Sequence, residues 1–328
     1  MEINKNTMCI IAGVFFFIFC AAGTLSAKEV AFPEKEIRFL CGYSPGSVSD
    51  LNARSIARIA SKYLEKPLVV VNMPGAGATI AANELVRSSA DGYTIITLTT
   101  GYFAYTIHQQ KVPFDPSLLK PLLGYWQYSH VLFTRGDSPY SKIQDLIAYG
   151  QKNPRAIKYG IPGRGTGPHL MGILFFKNAN VEAVDLPFKG SADNAHGVIG
   201  GHATVGVDDF APVKHHIKAG ALKALMAFLD QRHKDIPDVP TSKELGYGDL
   251  GSLNAYGIIC IHKDTPPDRA KKLHDVLKKV IEDPEFMKTC DEFGQRCGYI
   301  DTKAMDENIS MLEKTNMPIL KELKLLVK

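Results

Sequence analysis

The chain has 328 residues, of which 45% are hydrophobic and 22% are charged. This composition is typical of globular proteins and excludes a disordered chain, a collagen-like fibre and a membrane protein with several spans. The formal net charge of +4 is small and spread along the chain, which excludes the dense basic stripe of a nucleic-acid-binding protein. Because a single hydrophobic core rarely grows past about 250–300 residues, we expect two lobes.

The first 27 residues have the pattern of a secretory signal peptide. Lys5 precedes an apolar run over residues 9–22, and small residues end at Ala27. A basic start, a short apolar stretch and a small residue at the cleavage point are typical of a removable signal. The run is shorter than the ~20 residues that span a bilayer. We therefore predict export with cleavage after Ala27; the alternative is an uncleaved N-terminal anchor.

Export leaves four cysteines in the mature chain, namely Cys41, Cys260, Cys290 and Cys297. An oxidising compartment permits disulfides. Cys290 and Cys297 are close in sequence, with Gly294 between them as a predicted helix stop, so a local bridge is one hypothesis and free buried thiols are the other. A zinc site is disfavoured because the chain has no CxxC pair.

Apolar strand patterns alternate with helical patterns along the mature chain. We predict strands at residues 36–43, 67–71 and 93–98, and helices at 51–65 and 78–88 between them. The same alternation returns with strands at 131–135, 156–160, 203–207 and 222–228, helices at 141–149 and 168–176, a strand at 256–262, and helices at 267–281, 284–293 and from 302 onward. Such βαβ alternation indicates parallel sheets with helices on both faces.

Three glycine-rich loops lead from a predicted strand into a predicted helix, at residues 42–50, 72–79 and 160–169. Ser47 and Asp50 have capping-box spacing, so we predict Ser47 as an N-cap, and Pro168 suits the first helical position. Free N–H groups and the positive end of the helix dipole make such a junction an anion site. Open α/β sheets bind ligands beyond the carboxyl ends of their strands, so two facing junctions suit a molecule with a carboxylate at each end. The small residues of the loop at 72–79 allow its backbone to come close either to a ligand or to a neighbouring helix.

Other chemistries fit these residues less well. Residues 42–46 spell the G-x-S-x-G pattern of α/β-hydrolases, whose oxyanion hole needs the N–H of the residue after the serine. That residue is Pro45, which has no N–H. The loop at 160–169 lacks the Lys-Ser/Thr pair of a P-loop and the glycine spacing of a dinucleotide site. His215 and His216 are neighbours on a predicted helix and point about 100° apart, so they do not easily share a metal. We therefore predict no enzyme, no metal site and no cofactor.

The order of the motifs along the chain is itself distinctive. They are GYSPGSVSD at 42–50, AR at 53–54, NMPGAGA at 72–78, DGYT at 91–94, YGIPGRGTGPHL at 159–170, PFKG at 187–190, IKAGALKALM at 217–226 and PDVPTSKELG at 237–246. This series resembles the extracytoplasmic solute receptors of tripartite tricarboxylate transporters, the Bug family. The chain departs from the family pattern at Ser47, which replaces the second glycine of the first loop. It departs again before the last crossover strand, where Ala255-Tyr256 replaces a tryptophan.

The resemblance implies an α/β, two-lobed periplasmic binding protein fold. Each lobe is expected to be a mostly parallel sheet flanked by helices, with the ligand cleft between the lobes. Lobe I would comprise residues 28–129 and 255–328 and lobe II residues 130–254, with crossovers near 127–130 and 253–255. We expect a periplasmic monomer that binds no nucleic acid.

The resemblance also implies a function and a site. The protein would bind a small organic carboxylate (a di- or tricarboxylate or a related acid) and deliver it to the membrane permease subunits of a tripartite tricarboxylate transporter; the alternative is a periplasmic sensor that docks to a membrane signalling partner. The site residues carried over are Tyr43, Ser44, Gly46 and Ser47 in the first loop, Gly163, Gly165 and Thr166 in the second-lobe loop, Ala76 and Gly77 beside the cleft, and Asp208 at its far side. Arg164 either grips a second anion or points to water. Asp208 and Asp209 follow a strand, and would meet a ligand hydroxyl or ammonium group or cap the next helix.

Overall fold

The computed structural model describes residues 32–327. The chain divides into two units, Met1–Glu34 and Lys35–Lys328. Only residues 32–34 of the first unit are described, and they contain a cis peptide bond between Phe32 and Pro33. The predicted signal peptide, residues 1–27, lies outside the described residues. In the described part of the chain no helix is long and apolar enough to cross a membrane.

The second unit alternates strands and helices. The strands are β1 Ile37–Cys41, β2 Leu68–Asn72, β3 Thr94–Thr99, β4 Leu119–Gln127, β5 His130–Arg135, β6 Lys158–Ile161, β7 Val184–Pro187, β8 Val205–Asp209, β9 Leu222–Ala227, β10 Tyr256–His262 and β11 Arg296–Ile300. The α-helices are α1 Val48–Ala60, α2 Thr79–Arg87, α3 Thr100–Ala104, α4 Ile143–Lys152, α5 Gly167–Asn178, α6 Ser191–Ile199, α7 Phe210–Lys218, α8 Pro267–Glu282, α9 Pro284–Phe293 and α10 Thr302–Glu322.

The strands form two sheets, one in the order β11-β4-β10-β3-β1-β2 and the other in the order β7-β6-β8-β5-β9. In the first sheet β1 pairs in parallel with β2 and β3, and the remaining pairs are antiparallel. In the second sheet β6 pairs in parallel with β7 and β8, while β5 pairs antiparallel with β8 and β9. The sheets are therefore mixed, with a smaller parallel share than we predicted. The reason is that β5 and β10 each enter their sheet from a crossover at its carboxyl edge. They therefore run opposite to the parallel strands beside them.

Both crossovers join the carboxyl edges of the two sheets. His130, the first residue of β5, pairs with Asp209 at the end of β8, and Gly257 of β10 pairs with Thr99 at the end of β3. The two crossovers also touch each other, because the Tyr128 N–H donates to the Ala255 carbonyl at 3.1 Å. The loops that follow the parallel strands of both sheets therefore lie at the edges that the crossovers connect. The strands of the first sheet come from residues 37–127 and 256–300, and those of the second sheet come from residues 130–227. The division of the chain into two lobes remains a prediction.

Apolar side chains on the inner faces of the helices fill the space against each sheet. One buried cluster packs α2 on the first sheet through Leu85, Ile96 and Leu98, and another packs α5 on the second sheet through Phe175 and Val207. The second of these clusters also includes Leu312 and Leu320 of α10. The C-terminal helix, which we expected to belong to the first lobe, thus also shares the core of the second sheet.

Local predictions about helix ends hold closely. Ser47 is the N-cap of α1, and its Oγ accepts a hydrogen bond from the Asp50 N–H at 3.3 Å. Gly294 ends α9 in the left-handed conformation, and a disulfide joins Cys290 to Cys297 across it. Pro168 lies one position further into its helix than predicted, because α5 begins at Gly167.

Candidate ligand-binding site

The candidate site lies where the carboxyl edges of the two sheets meet. Three loops reach it: residues 42–47 after β1, residues 73–78 after β2, and residues 162–166 after β6. We call these the first, second and third loops. They are the three glycine-rich junctions of the sequence, and β1, β2 and β6 all run towards the crossovers, so the fold brings all three to one region.

A buried carboxylate holds the first loop in place. Asp50 Oδ2 accepts hydrogen bonds from the Gly46 N–H at 2.8 Å and from Arg54 Nε at 3.1 Å, and Oδ1 accepts from Asn72 Nδ2 at 2.8 Å. Asn72 Nδ2 also donates to the Tyr43 carbonyl at 3.0 Å. Burial raises the pKa of Asp50, but the bonds from Gly46, Arg54 and Asn72 outweigh burial and lower it overall. We call Asp50, Arg54 and Asn72 the brace. Their hydrogen bonds to one another and to the first loop give a physical reason for finding these three residue types in the motifs of the sequence.

The second loop packs directly against the first. A Cβ atom placed on Gly42 would lie 2.2 Å from the Ala78 Cβ, so only glycine allows this approach. Four consecutive residues, 75–78, have positive φ angles. Ala76 and Gly77 are exposed at the rim of the site, and the Ala76 carbonyl accepts a hydrogen bond from Gln110 Nε2 at 2.7 Å. The second loop therefore forms a wall beside the first loop.

The third loop is held by its own side chains and by the helix that follows. Thr166 Oγ1 donates to the Gly163 carbonyl at 2.7 Å, and the Gly165 N–H donates to His169 Nδ1 at 2.9 Å. Arg164 Nε donates to Asp185 Oδ2 at 2.8 Å, with the Arg164 side chain 58% exposed. The first-turn N–H groups of α5 have no partners within the helix. Because Pro168 has no N–H, the first-turn groups that remain for an anion are those of Gly167 and His169.

Three tyrosines lie near the loops: Tyr43 is in the first loop, the Tyr105 hydroxyl oxygen would lie 3.3 Å from a Cβ on Gly167 beside the third loop, and Tyr128 is in the crossover before β5. Burial raises the pKa of Tyr128 well above its ordinary value, and the carboxyl group of Asp209 adds to the rise. Burial likewise raises the pKa of Tyr43 to about 12 and raises that of Tyr105. All three tyrosines are neutral phenols at physiological pH and can donate hydrogen bonds.

The two adjacent aspartates at the end of β8 have different partners. Asp208 accepts hydrogen bonds from Ser191 Oγ at 2.8 Å and Asn194 Nδ2 at 2.9 Å, so its carboxylate is engaged within the second sheet and α6. Asp209 occupies the N-cap position of α7, but its side chain makes no cap hydrogen bond there and instead accepts from the Ser129 N–H at 2.7 Å. Burial, with the charge of Asp208, raises the pKa of Asp209 to about 7. The sequence favoured Asp208 for the site, whereas the carboxyl group that adds to the rise in the pKa of Tyr128 is that of Asp209.

A cavity of about 850 Å³ opens beside the first loop. Of the predicted site residues, Ser44, Gly46 and Ser47 line it, and α6, α7 and the end of α9 form the opposite walls. Its charged lining residues are Lys189, Lys214 and Lys218 against Asp193 and Glu292. The volume suits a small ligand. Lys214 is already paired with Asp235 at 2.7 Å, so two lysines face two carboxylates in the lining. A second cavity of about 640 Å³ lies at the opposite, amino edge of the first sheet, around Glu36, Arg38 and Thr94, where open α/β sheets do not bind their ligands.

Some residues of the site carry no recognisable sequence signal. Gln109 donates through Nε2 to the Gly165 carbonyl at 3.0 Å and so reaches the third loop from the first-sheet side. Tyr105 and Tyr128 were also outside the predicted set, because a buried tyrosine is more often part of the core than of a site. Within residues 32–327, no group of three His, Cys, Asp or Glu side chains is placed to hold a metal ion.

Comparison with known proteins agrees with this geometry. The family model for the "Tripartite tricarboxylate transporter family receptor" matches residues 52–325. The "UPF0065 protein in gbd 5'region" of Cupriavidus necator is 30% identical over 304 residues, which are 92% of each chain. A solved structure described as that of a periplasmic transporter is 27% identical, with a TM-score of 0.78 over 91% of this chain and 100% of that one.

Two ligand-bound structures share the fold. Rpa4515 of R. palustris with adipate is 23% identical, with a TM-score of 0.78 over 87% of this chain and 97% of that one. MatC from Rhodopseudomonas palustris with bound malate is 20% identical, with a TM-score of 0.73 over 87% of this chain and 99% of that one. The match to the family model and the relative in Cupriavidus necator together establish the family. The chain therefore belongs to the receptors of tripartite tricarboxylate transporters, the Bug family, and is a solute-binding protein rather than an enzyme.

Proposed function

We propose that the protein captures a small organic acid with two carboxylates between its two sheets and delivers it to the membrane permease subunits of a tripartite tricarboxylate transporter. The observation that carries this proposal is the placement of the first and third loops at the two carboxyl edges that the crossovers join. Each loop stands before a helix N-terminus, where N–H groups and the helix dipole favour an anion. Two such loops suit two carboxylates on one molecule.

The loops offer different donors to the two carboxylates. Ser47 Oγ accepts the Asp50 N–H, so its own hydrogen is free to donate to a ligand. The hydrogen of Thr166 Oγ1 is already committed to the Gly163 carbonyl. We therefore assign ligand donation at the first loop to the hydroxyls of Ser44 and Ser47. At the third loop we assign it to the first-turn N–H groups of α5, with Thr166 holding the loop in shape.

The electrostatics of the site suit an anion without a buried cation. The tyrosine hydroxyls of the site stay protonated, because burial raises the pKa of Tyr43, Tyr105 and Tyr128. Asp209, with its pKa raised to about 7, carries only part of its charge at neutral pH, which reduces repulsion of an anionic ligand. Lys189 and Lys218 line the neighbouring cavity, where they offset the charges of Asp193 and Glu292.

The structures with adipate and with malate support the ligand class. Both of those molecules carry two carboxylates, and both proteins share the fold of this chain. A ligand that contacts both loops stabilises their closed arrangement, and hinge closure about the crossovers gives the permease a shape that differs from that of the empty receptor. With residues 1–27 acting as the export signal, we place the receptor in the periplasm as a monomer.

A thermal-shift screen of the mature chain, residues 28–328, tests the proposal. The panel contains mono-, di- and tricarboxylates, aromatic acids, amino acids and neutral sugars. A ligand present at 100 times its dissociation constant adds about 2.7 kcal/mol to the folded state, which shifts Tm by roughly 2–4 °C per kcal/mol. We expect a shift of about 5–10 °C with at least one dicarboxylate and none with sugars. A protein that was unfolded, refolded and still unresponsive to every carboxylate would refute the ligand class.

Gly165→Val tests the third loop within the same screen. A Cβ on Gly165 would lie 1.7 Å from Gln109 Oε1, so valine displaces the Gln109 side chain from the loop and places a branched side chain where the ligand approaches. Gly220→Val is the matched control, because Gly220 has a nearly identical φ angle of 73° and no atom within 4 Å of its added Cβ. We expect Gly165→Val to abolish the ligand-induced shift while Gly220→Val retains it. Equal shifts in the two variants would remove the third loop from the site.

A further inference from the structure

Two consecutive glutamines connect the second and third loops. Gln109 Nε2 donates to the Gly165 carbonyl of the third loop at 3.0 Å. Gln110 Nε2 donates to the Ala76 carbonyl of the second loop at 2.7 Å and to Thr79 Oγ1 at 2.6 Å. We call Gln109 and Gln110 the glutamine clamp. The clamp follows α3, which comes after β3 of the first sheet, whereas Gly165 follows β6 of the second sheet. The bond from Gln109 to Gly165 therefore links a connection of the first sheet to a loop of the second.

Both loops press closely on the segment that carries the clamp. A Cβ on Gly165 would lie 1.7 Å from Gln109 Oε1, and a Cβ on Gly77 would lie 2.9 Å from Thr106 Cγ2. Glycine at these two positions lets the backbone of each loop approach the same short stretch of chain, residues 106–110. The size of the segment 106–110 therefore sets the distance between the second and third loops.

The segment is itself anchored. Tyr105, which precedes it, is buried. The carbonyl of Tyr105 accepts a further bond from Gln109 Nε2 at 3.3 Å. On its other side, the Val327 N–H near the C-terminus donates to the His108 carbonyl at 3.0 Å. The bond of Gln109 to the Tyr105 carbonyl and the bond of Val327 to the His108 carbonyl both hold this segment in place. The clamp therefore acts as a spacer of fixed size.

The chemistry of the clamp leaves the ligand donors of the loops free. A neutral amide that donates to a loop carbonyl fixes the backbone and takes none of its N–H groups. It also adds no charge that would compete with a carboxylate for those groups. The clamp thus has the properties of a positioning element and not of a ligand-binding group.

We propose that the glutamine clamp sets the distance between the third loop and the first loop, which packs on the second loop at Gly42 and Ala78, and that it thereby selects the length of the dicarboxylate. This inference rests on the proposed function for its ligand, whereas the spacing itself is a property of the empty protein. The two parts can therefore be tested separately.

Hydrogen exchange on the ligand-free mature chain tests the spacing. Gln109→Ala removes the bond to Gly165, and we expect the amides of residues 163–167 to exchange about tenfold faster than in the wild type. Gln151→Ala is the matched control, because Gln151 Nε2 makes the same kind of bond, to the Ala179 carbonyl at 2.9 Å, away from the loops. Unchanged exchange at 163–167 in Gln109→Ala would overturn the clamp whatever the ligand proves to be.

Calorimetry with straight-chain dicarboxylates from succinate to suberate tests the selection of length. We expect the wild type and Gln151→Ala to prefer one length, and Gln109→Ala to bind that length about tenfold more weakly with a flatter preference across the series. The same ranking and ratios in Gln109→Ala as in the wild type would overturn the selection of length. If the wild type binds no member of the series, the proposed function fails, and the exchange measurement still decides whether the clamp exists.

Discussion

Replacing Asp50 with alanine should release the first loop and weaken both the fold and ligand binding. The Asp50 side chain is buried and receives bonds from Gly46, Arg54 and Asn72. Without the carboxylate, the Gly46 N–H loses its partner in the loop and the Asn72 amide loses one of its acceptors. The loop should then sample positions that cannot place Ser44 and Ser47 against a ligand.

The three bonds differ in their contributions to stability. Hydrogen bonds to a charged group contribute about 1.5–3 kcal/mol each when buried. The Arg54 side chain is 52% exposed, so solvent screens its ion pair and we count it at no more than about 1 kcal/mol. Water also re-solvates part of the released Gly46 N–H. We therefore expect Asp50→Ala to lower the free energy of unfolding by about 3 kcal/mol and to weaken dicarboxylate binding at least tenfold.

Urea unfolding and calorimetry on matched variants measure both effects. Asp145→Ala is the control, because Asp145 accepts bonds from the Ser141 and Lys142 N–H groups at the exposed start of α4. It should cost about 1 kcal/mol, the ordinary value for a helix cap, with no change in ligand affinity. Equal losses of stability in the two variants, or an unchanged affinity in Asp50→Ala, would refute the role of the brace.

Three further predictions concern the groups around the site. Because burial raises the pKa of Asp209 to about 7 while its unfolded value is ~3.9, the folded state holds the proton and its stability falls as pH rises between those values. Asp209→Asn should therefore gain about 2–4 kcal/mol relative to the wild type between pH 4 and pH 8 in urea unfolding; a constant difference would contradict this. Replacing both Cys290 and Cys297 with alanine opens a loop with a sequence separation of 7, and chain entropy gives a loss of about 2.5 kcal/mol; dithiothreitol should lower the Tm of the wild type but not of the variant. Lys214→Met removes an ion pair to Asp235 at 2.7 Å and bonds to two carbonyls at the end of α9, and should cost about 2 kcal/mol in the same urea assay, whereas no loss would mean that α9 is held without it.

Most regular elements could be predicted because their sequence patterns are local. The strand at Tyr256–His262 and the helix at Pro284–Phe293 have the predicted bounds. By contrast, β4 was missed because Pro121 and Gly124 interrupt it, and proline is rare inside strands. The structure accommodates Pro121 with an irregularity in the pairing of β4 and β10 near Cys260. The antiparallel share of each sheet was also missed, because the direction of a strand is decided by distant pairing.

The site could be predicted only where its chemistry lies in the backbone. The glycine-rich loops and the Ser47 cap are visible in sequence because they require particular residues at fixed spacing. Gln109 was missed because a side-chain amide acquires its role from what the fold brings next to it. The cysteine pairing remained open for the same reason: Gly294 marked a helix end, but only the fold shows that the Cα atoms of Cys290 and Cys297 lie 6.1 Å apart.

The position of β10 has a consequence for the order in which the protein folds. All strands of the second sheet lie within residues 130–227, so that sheet can form as soon as this stretch has been synthesised. The first sheet is different, because β10 lies between β3 and β4. Until Tyr256–His262 emerges, β3 and β4 each present an unpaired edge, and exposed edges invite pairing with other chains. The nascent protein should therefore depend most on chaperones during the synthesis of its middle third, and a chain truncated before Tyr256 should aggregate although its second sheet is complete.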